Sequence, residues 1–459
     1  MISWLYELIF WIALALASPY YLLRMKRRGG YARGFMERFG IFEPAKRDRL
    51  RNLRPVWIHA VSVGEVDLAL QLIGKLRASA STGAVARPLA LSTTTSTGYR
   101  LAAEKLPSDV PLFYHPLDSR FCFGAVHRLL QPVAFILVEA ELWPNHLRFC
   151  GNHGVLLALI NARLSERCYP RYRRFRWLFE LAFRGFRLVT LQSADDEERL
   201  CDLGFSRQCL TVTGSLKYDA AQGSDPARRS RLLADLTVLE ERPLWIAGST
   251  HPGEEAVVVE IFLRLKTKHP RLALALAPRH AERTEEISGL LRRHGISFVR
   301  RSDLNSKEDP PHPSAGSADV LLLDTTGELK YLYERATLIF MGKSLIGHGG
   351  QNIIEPAACG KPVLFGPHME NFPVIARDFL DANAAIQVRN AAELETQVAR
   401  LLDNTKERKD LGTRAMAVVQ RKRGALDRTM DGILRMLLSG KTGQTPQQGY
   451  FRFNWTLDS

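Results

Sequence analysis

The chain has 459 residues, 46% hydrophobic and 24% charged, with a formal net charge of +15. That length exceeds what one hydrophobic core supports, so two domains of roughly 200 residues are expected, and the composition is that of a globular protein. Six cysteines without CxxC spacing exclude a disulfide framework, and the 12 histidines include no HExxH, nor does a DxD occur, so no metal is indicated.

Between Ile2 and Leu23 the one formal charge is Glu7, and the uncharged stretch Leu8–Leu23 covers 16 residues. As a helix this is about 24 Å long, a little short of the roughly 30 Å hydrocarbon core. Arg24, Lys26, Arg27, Arg28, Arg33, Arg38, Lys46, Arg47, Arg49, Arg51 and Arg54 follow directly. A missing positive n-region argues against cleavage after Ala15-Leu16-Ala17, and the positive-inside rule keeps the basic cluster cytoplasmic. Residues 1–28 are therefore expected to be a retained single membrane anchor with its N-terminus outside. The cluster behind it would rest on anionic lipid headgroups.

A parallel, doubly wound α/β pattern follows. Strands are expected at Val56–Val61, Leu89–Ser92, Phe135–Glu139, Val155–Ile160 and Leu188–Gln192, with a helix from Gly64 to about Arg77. Asp219–Ser230 is a polar break, after which the alternation restarts: strand Leu244–Gly248, helix Pro252–His269, strand Leu272–Ala277, helix Glu282–His294, strand Val320–Leu323, helix Gly327–Arg335 and strand Leu338–Met341. Asp303–Asp319, rich in Ser, Pro and Asp, reads as a surface loop. The expected division is an anchor at 1–28, a first Rossmann-like domain at 29–220, a linker at 221–235, a second Rossmann-like domain at 236–435 and a tail at 436–459. Ligands of such sheets bind beyond the carboxyl ends of the strands, so a cleft between the two halves is the natural site.

Gly342–His368 is the most informative segment. Gly347, Gly349 and Gly350 let backbone approach a phosphate, and the amides of a following helix would supply donors. Glu355, inside that helix, offers two acceptor oxygens suited to the hydroxyls of a ribose. Gly342-Lys343-Ser344 fails as a Walker A loop because Thr337 stands at its first glycine position, and no GxGxxG follows the first strand, which argues against a dehydrogenase.

Further chemistry-bearing residues fall at the same strand edges. Glu65 at the first strand-to-helix turn is either a general base or a helix N-terminal acid serving the dipole. Glu139 and Glu141 follow a buried strand, where carboxylates are costly unless partnered or solvated. Lys217 precedes the polar break and offers a cation. Arg279 and His280 end one strand, and Thr326-Gly327-Glu328 opens another helix.

The ordered motifs HAVSVGE, VEAELWPN, NARLS, GSLKYD, GSTHPGEE, APRHAER, TTGELK and GGQNIIEPAACGKPVLFGPH, over roughly residues 30–430, closely resemble the 3-deoxy-D-manno-octulosonic acid (Kdo) transferases of lipopolysaccharide assembly. The resemblance implies a GT-B glycosyltransferase fold, an N-terminal membrane anchor in a bacterial inner membrane, and metal-independent transfer of Kdo from CMP-Kdo to the lipid A precursor lipid IV(A). No cofactor and no nucleic acid are implied. It places the general base at Glu65 and transition-state stabilisers at Glu139 and Lys217. The CMP contacts it implies are Pro278 and Arg279, Thr326, Gly327 and Glu328, and Asn352, Ile353, Ile354 and Glu355. Some members have methionine in place of Thr326, which leaves a backbone contact intact. The alternative is a GT-B transferase that uses a UDP-sugar on a membrane lipid acceptor.

Overall fold

The structure, a computed structural model, describes residues 2–28, 34–81, 87–139, 142–164, 168–220, 229–230, 242–305 and 318–439. Glu141, most of the expected linker 221–235, the Ser/Pro-rich stretch 306–317 and the tail from 440 onward lie outside the described residues. The chain divides into two compact units, Met1–Leu216 with Gly424–Ser459, and Lys217–Arg423. The helix Ala425–Ser439 therefore belongs with the first unit and not, as the sequence pattern implied, with the second.

In the first unit, strands β1 (Val56–Ala60), β2 (Leu89–Thr93), β3 (Leu112–Tyr114), β4 (Ala134–Val138), β5 (Leu156–Ala162), β6 (Phe186–Leu191) and β7 (Leu210–Val212) form one parallel sheet in the order β3-β2-β1-β4-β5-β6-β7. Val56 faces Leu89 on one side and Ala134 on the other. Every residue of β1, β2 and β4 is buried, as expected of strands covered by helices on both faces. Helix Val63–Ser81 contributes Val66, Leu68, Ala69, Leu72, Ile73 and Leu76 to the interior. The last helix buries Leu426, Met430, Ile433, Met436 and Leu437, each worth about 1.5–3 kcal/mol on transfer from water. Arg428 pins that helix by donating to the Thr213 carbonyl oxygen at 2.7 Å.

The N-terminal helix spans Ile2–Arg28. Its Glu7 is 4% exposed and accepts from Ser119 Oγ at 2.6 Å, Asn145 Nδ2 at 2.9 Å and Trp11 Nε1 at 3.1 Å. Tyr6 donates to Asp118 Oδ2 at 2.9 Å, and burial pushes the Asp118 carboxyl up to about 7. Tyr6 and Glu7 thus tie the start of the helix to the first unit. Among the described residues no helix is long and apolar enough to cross a membrane, so the expected spanning anchor is not supported.

In the second unit, β8 (Leu244–Thr250), β9 (Ala273–Pro278), β10 (Phe298–Arg300), β11 (Val320–Leu322), β12 (Leu338–Met341), β13 (Val363–Phe365) and β14 (Ile386–Gln387) form a parallel sheet in the order β10-β11-β9-β8-β12-β13-β14. One face packs on a cluster containing Ile246, Ala275, Ile339 and Phe365. The other holds Trp245, Phe262, Leu274 and Phe340. The order of strands reverses between β1 and β4 in the first sheet and between β8 and β12 in the second, which opens a crevice at each of those carboxyl edges.

Candidate functional site

At the carboxyl edge of the first sheet, the residues leaving β1 and β4 flank the reversal point, and these carry Glu65 and Glu139. Glu65 sits in the first turn of helix Val63–Ser81. Its carboxylate accepts from the Val61 amide at 2.8 Å and from Ser62 Oγ at 2.9 Å. Both readings of this residue thus meet in one geometry: it closes the turn, and the turn holds it at the sheet edge. Glu139 adopts φ 64°, a left-handed conformation that costs a residue with a Cβ about 1–2 kcal/mol. Its amide is bonded to the Ile160 carbonyl oxygen at 2.9 Å, and its Oε1 accepts from Asn161 Nδ2 at 3.1 Å. Asn161 is itself fully buried, at φ 56°, and its Oδ1 accepts from the Leu216 amide at 3.0 Å. Backbone strain held in place by such a network is typical of functional positions. Asn161 lies inside the NARLS motif, and no local pattern there marks it out.

The second unit carries the residues assigned to the nucleotide. Lys217 opens the short helix Lys217–Ala220, with its ammonium 5.3 Å from the Phe372 ring centroid. Pro278 ends β9, and the Arg279 amide donates to the Thr250 carbonyl oxygen at 3.0 Å while its side chain is exposed. Thr326 and Gly327 are exposed, and Gly327 has φ 82°. Glu328 is 8% exposed, accepts from Thr325 Oγ1, and pairs with the 2% exposed Arg301 at 3.2 Å. Its carboxylate is therefore committed internally, and a ligand contact there falls to the backbone. Ile353 and Ile354 are fully buried in the core, which leaves them backbone groups as well. Asn352 Oδ1 accepts from the Ile354 amide at 3.1 Å, and Glu355 lies in the first turn of helix Ile354–Ala358.

The glycine-rich loop after β12 differs from the sequence expectation in an instructive way. Glu254, 0% exposed, takes up its amides: Oε2 accepts from Lys343 N at 2.6 Å and His251 N at 3.0 Å, and Oε1 from Ser344 N and Leu345 N, both at 3.0 Å. The Gly349 amide donates to Glu370 Oε2 at 2.6 Å. The following helix is five residues long, so it offers little of the anion-binding terminus expected of it. The amides of residues 343–345 and of Gly349 are thus used to shape the loop itself. Gly342 is required here, because a Cβ would lie 2.6 Å from Thr250 Cα and 2.8 Å from Glu254 Oε2.

What remains for an anionic ligand is side-chain charge. Burial, followed by the Lys343 charge, lowers the His251 pKa; the Glu254 carboxylate works against this, and His280 and Arg279 add to the lowering. Lys343 and Arg279 make no ion pair among the described residues. Glu254 lies within GSTHPGEE and Lys343 within Gly342-Lys343-Ser344, and neither position carries a local signal of this role.

A family profile described as 3-Deoxy-D-manno-octulosonic-acid transferase (kdotransferase) matches residues 33–220, and one described as Glycosyl transferases group 1 matches residues 317–418. The 3-deoxy-D-manno-octulosonic acid transferase of Bordetella pertussis is 34% identical over 446 residues, 93% of this chain and 98% of its own length. That of Haemophilus influenzae is 32% identical over 402 residues, 87% of this chain and 91% of its own. Among solved structures, the UDP-GlcNAc 2-epimerase from Neisseria meningitidis bound to UDP-GlcNAc has a TM-score of 0.59 at 12% identity, over 83% of this chain and 100% of that one, a likeness of fold alone. The two parallel α/β units and the group 1 match fit the GT-B class. Matched along nearly its whole length, the chain belongs to the 3-deoxy-D-manno-octulosonic acid transferase family.

Proposed function

We propose that the protein is an inverting, metal-independent glycosyltransferase that moves Kdo from CMP-Kdo to the lipid A precursor lipid IV(A) in lipopolysaccharide core assembly. The observation that carries this reading is the placement of Glu65 and Glu139 on either side of the reversal point of the first sheet, in a chain of this family. Glu65 takes the proton from the primary hydroxyl of the acceptor glucosamine as that oxygen attacks the anomeric carbon of Kdo. The bond from that carbon to the phosphate oxygen breaks, and CMP leaves with the electron pair. One direct displacement inverts the anomeric centre.

Charge building on the leaving phosphate is met by cations, Lys217, Arg279 and Lys343, since the loop amides at 343–345 are already engaged by Glu254. Glu355 accepts the ribose hydroxyls, and Asn352 shapes the turn before it. Glu139, fixed by Asn161, stabilises positive character at the anomeric carbon. The second reading, a UDP-sugar donor, is separated by a donor competition in which CMP-Kdo and UDP-sugars are offered with a tetraacyl disaccharide acceptor and the products are weighed by mass spectrometry.

The protein works at the cytoplasmic face of the bacterial inner membrane, held there by the N-terminal helix and the basic residues behind it. Leu8, Ile9, Ile12 and Leu16 are exposed, Leu16 at 79%, while Glu7 ties the start of the same helix to the domain. This supports a helix seated in the anionic interface beside the acylated acceptor, in place of a span.

A further inference from the structure

The loop that follows β12 and the turn after β13 bring together three side chains that the transfer reaction does not use. His348 Nδ1 lies 3.3 Å from Glu370 Oε1, and His368 Nδ1 lies 3.4 Å from the same oxygen. The three ligand atoms all fall within 4.8 Å of one another. We propose that His348, His368 and Glu370 form a surface binding site for a divalent transition-metal ion of the zinc or nickel type.

The separations argue for it. Metal–ligand bonds of about 2.0–2.2 Å set at tetrahedral angles hold neighbouring N and O ligand atoms about 3.3 Å apart. The two histidine–carboxylate pairs match this, and all three ligand atoms stay within 4.8 Å of one another.

The ligands are also held from behind. Glu370 Oε2 accepts from the Gly349 amide at 2.6 Å, which leaves Oε1 turned toward the imidazoles. The amide of His368 donates to the Ser344 carbonyl oxygen and that of Asn371 to the Gly349 carbonyl oxygen, both at 3.0 Å, so the segments bearing the ligands are tied to each other. A carboxylate oriented by a backbone donor is the kind of outer contact that metal sites depend on.

Access and selectivity follow from composition. The side chains of His348, Glu370 and His368 are 75%, 41% and 30% exposed, so an ion reaches them from solvent and keeps water or an anionic oxygen at its remaining position. Two imidazoles with one carboxylate favour Zn²⁺, Ni²⁺ or Cu²⁺ over Mg²⁺ and Ca²⁺, which prefer all-oxygen shells. The other ligand-bearing group among the described residues, His127, His146 and Cys150, is buried, and its two imidazole Nε2 atoms are 2.9 Å apart as a hydrogen-bonded pair. The surface site is independent of which sugar donor is used, and the ion takes no part in the transfer step.

The test is calorimetry on the full-length protein after chelator treatment, titrated with ZnCl₂, NiCl₂ and MgCl₂. One equivalent of Zn²⁺ or Ni²⁺ should bind and Mg²⁺ should not, and His348→Ala and His368→Ala should each weaken binding at least about tenfold. His348 is exposed, so its variant tests the site without a folding penalty, checked by an unchanged melting temperature. Glu370→Gln should give the same loss. Equal affinity in His348→Ala and wild type would overturn the proposal, as would binding that survives both histidine variants and disappears in Cys150→Ser.

Discussion

Ser62 and Glu65 close the turn after β1 on each other: Ser62 Oγ donates to Glu65 Oε1 at 2.9 Å and receives the Glu65 amide at 3.4 Å. With the Val61 amide on Oε2 at 2.8 Å, the motif is a variant of the capping box in which the acid reaches one residue past the cap, and that acid also lies at the sheet edge. Glu65→Gln keeps an oxygen for one of these donors. Its unfolding free energy should stay within about 1 kcal/mol of wild type, and CMP-Kdo should still bind. A drop of several kcal/mol would mean that the residue serves mainly the helix.

Glu254 gathers the His251, Lys343, Ser344 and Leu345 amides on one buried carboxylate, so it positions the loop without touching the nucleotide in this account. Glu254→Gln turns an NH₂ group toward amides that need acceptors. Each unsatisfied buried donor costs about 1–3 kcal/mol. CMP affinity should fall by about tenfold or more, with a lowered melting temperature, and the effect should be smaller in kcat than in KM. Wild-type CMP affinity in a folded Glu254→Gln protein would remove this residue from nucleotide binding.

At Glu139 the left-handed backbone separates stability from function. Glycine adopts φ 64° without the steric cost that alanine pays, so Glu139→Gly should melt above Glu139→Ala, by about 1 kcal/mol in unfolding free energy. Both should lose most of the transfer activity. An alanine variant as stable as the glycine variant would show that the turn is not strained.

The alternation of buried strands was readable from the sequence: β1, β2, β4, β5, β6, β8, β9, β11 and β12, like the Pro362–Phe365 run of β13 between Gly360 and Gly366, fall where apolar runs stand between turn signals. The four strands it did not yield, β3, β7, β10 and β14, are the edges of the two sheets and have two or three residues each. β11 and β13 are as short but fully buried, so their apolar runs show, whereas the edge strands are only partly buried and lack such a run. At the site, charged residues at strand ends were legible because burial makes a carboxylate there conspicuous. Glu254 escaped because three of the four amides it accepts from lie 89 to 91 residues away, a relationship that no local pattern encodes. His348, His368 and Glu370 escaped for the same reason, since a spacing of 20 residues between histidines matches no metal motif.

The docked N-terminal helix predicts a division of labour. Leu8→Glu combined with Leu16→Glu places charge on exposed positions and leaves the Glu7 contacts in place. Co-sedimentation with anionic vesicles should fall sharply, and activity on detergent-solubilised acceptor should persist. What binding remains should be salt-sensitive, because exposed charges are screened beyond about 8 Å at physiological ionic strength. Unchanged vesicle binding would rule out this helix as the attachment surface.

The most direct test of the account is single-turnover transfer, followed by mass spectrometry, with CMP-Kdo and a tetraacyl disaccharide acceptor and with wild type and Glu65→Gln compared in parallel. The account predicts an acceptor enlarged by Kdo with wild type, no product from UDP-sugars, and a rate lower by about 10²–10⁴ in the variant at unchanged CMP-Kdo binding. Product formation from a UDP-sugar in preference to CMP-Kdo, or near wild-type transfer by Glu65→Gln, would contradict it.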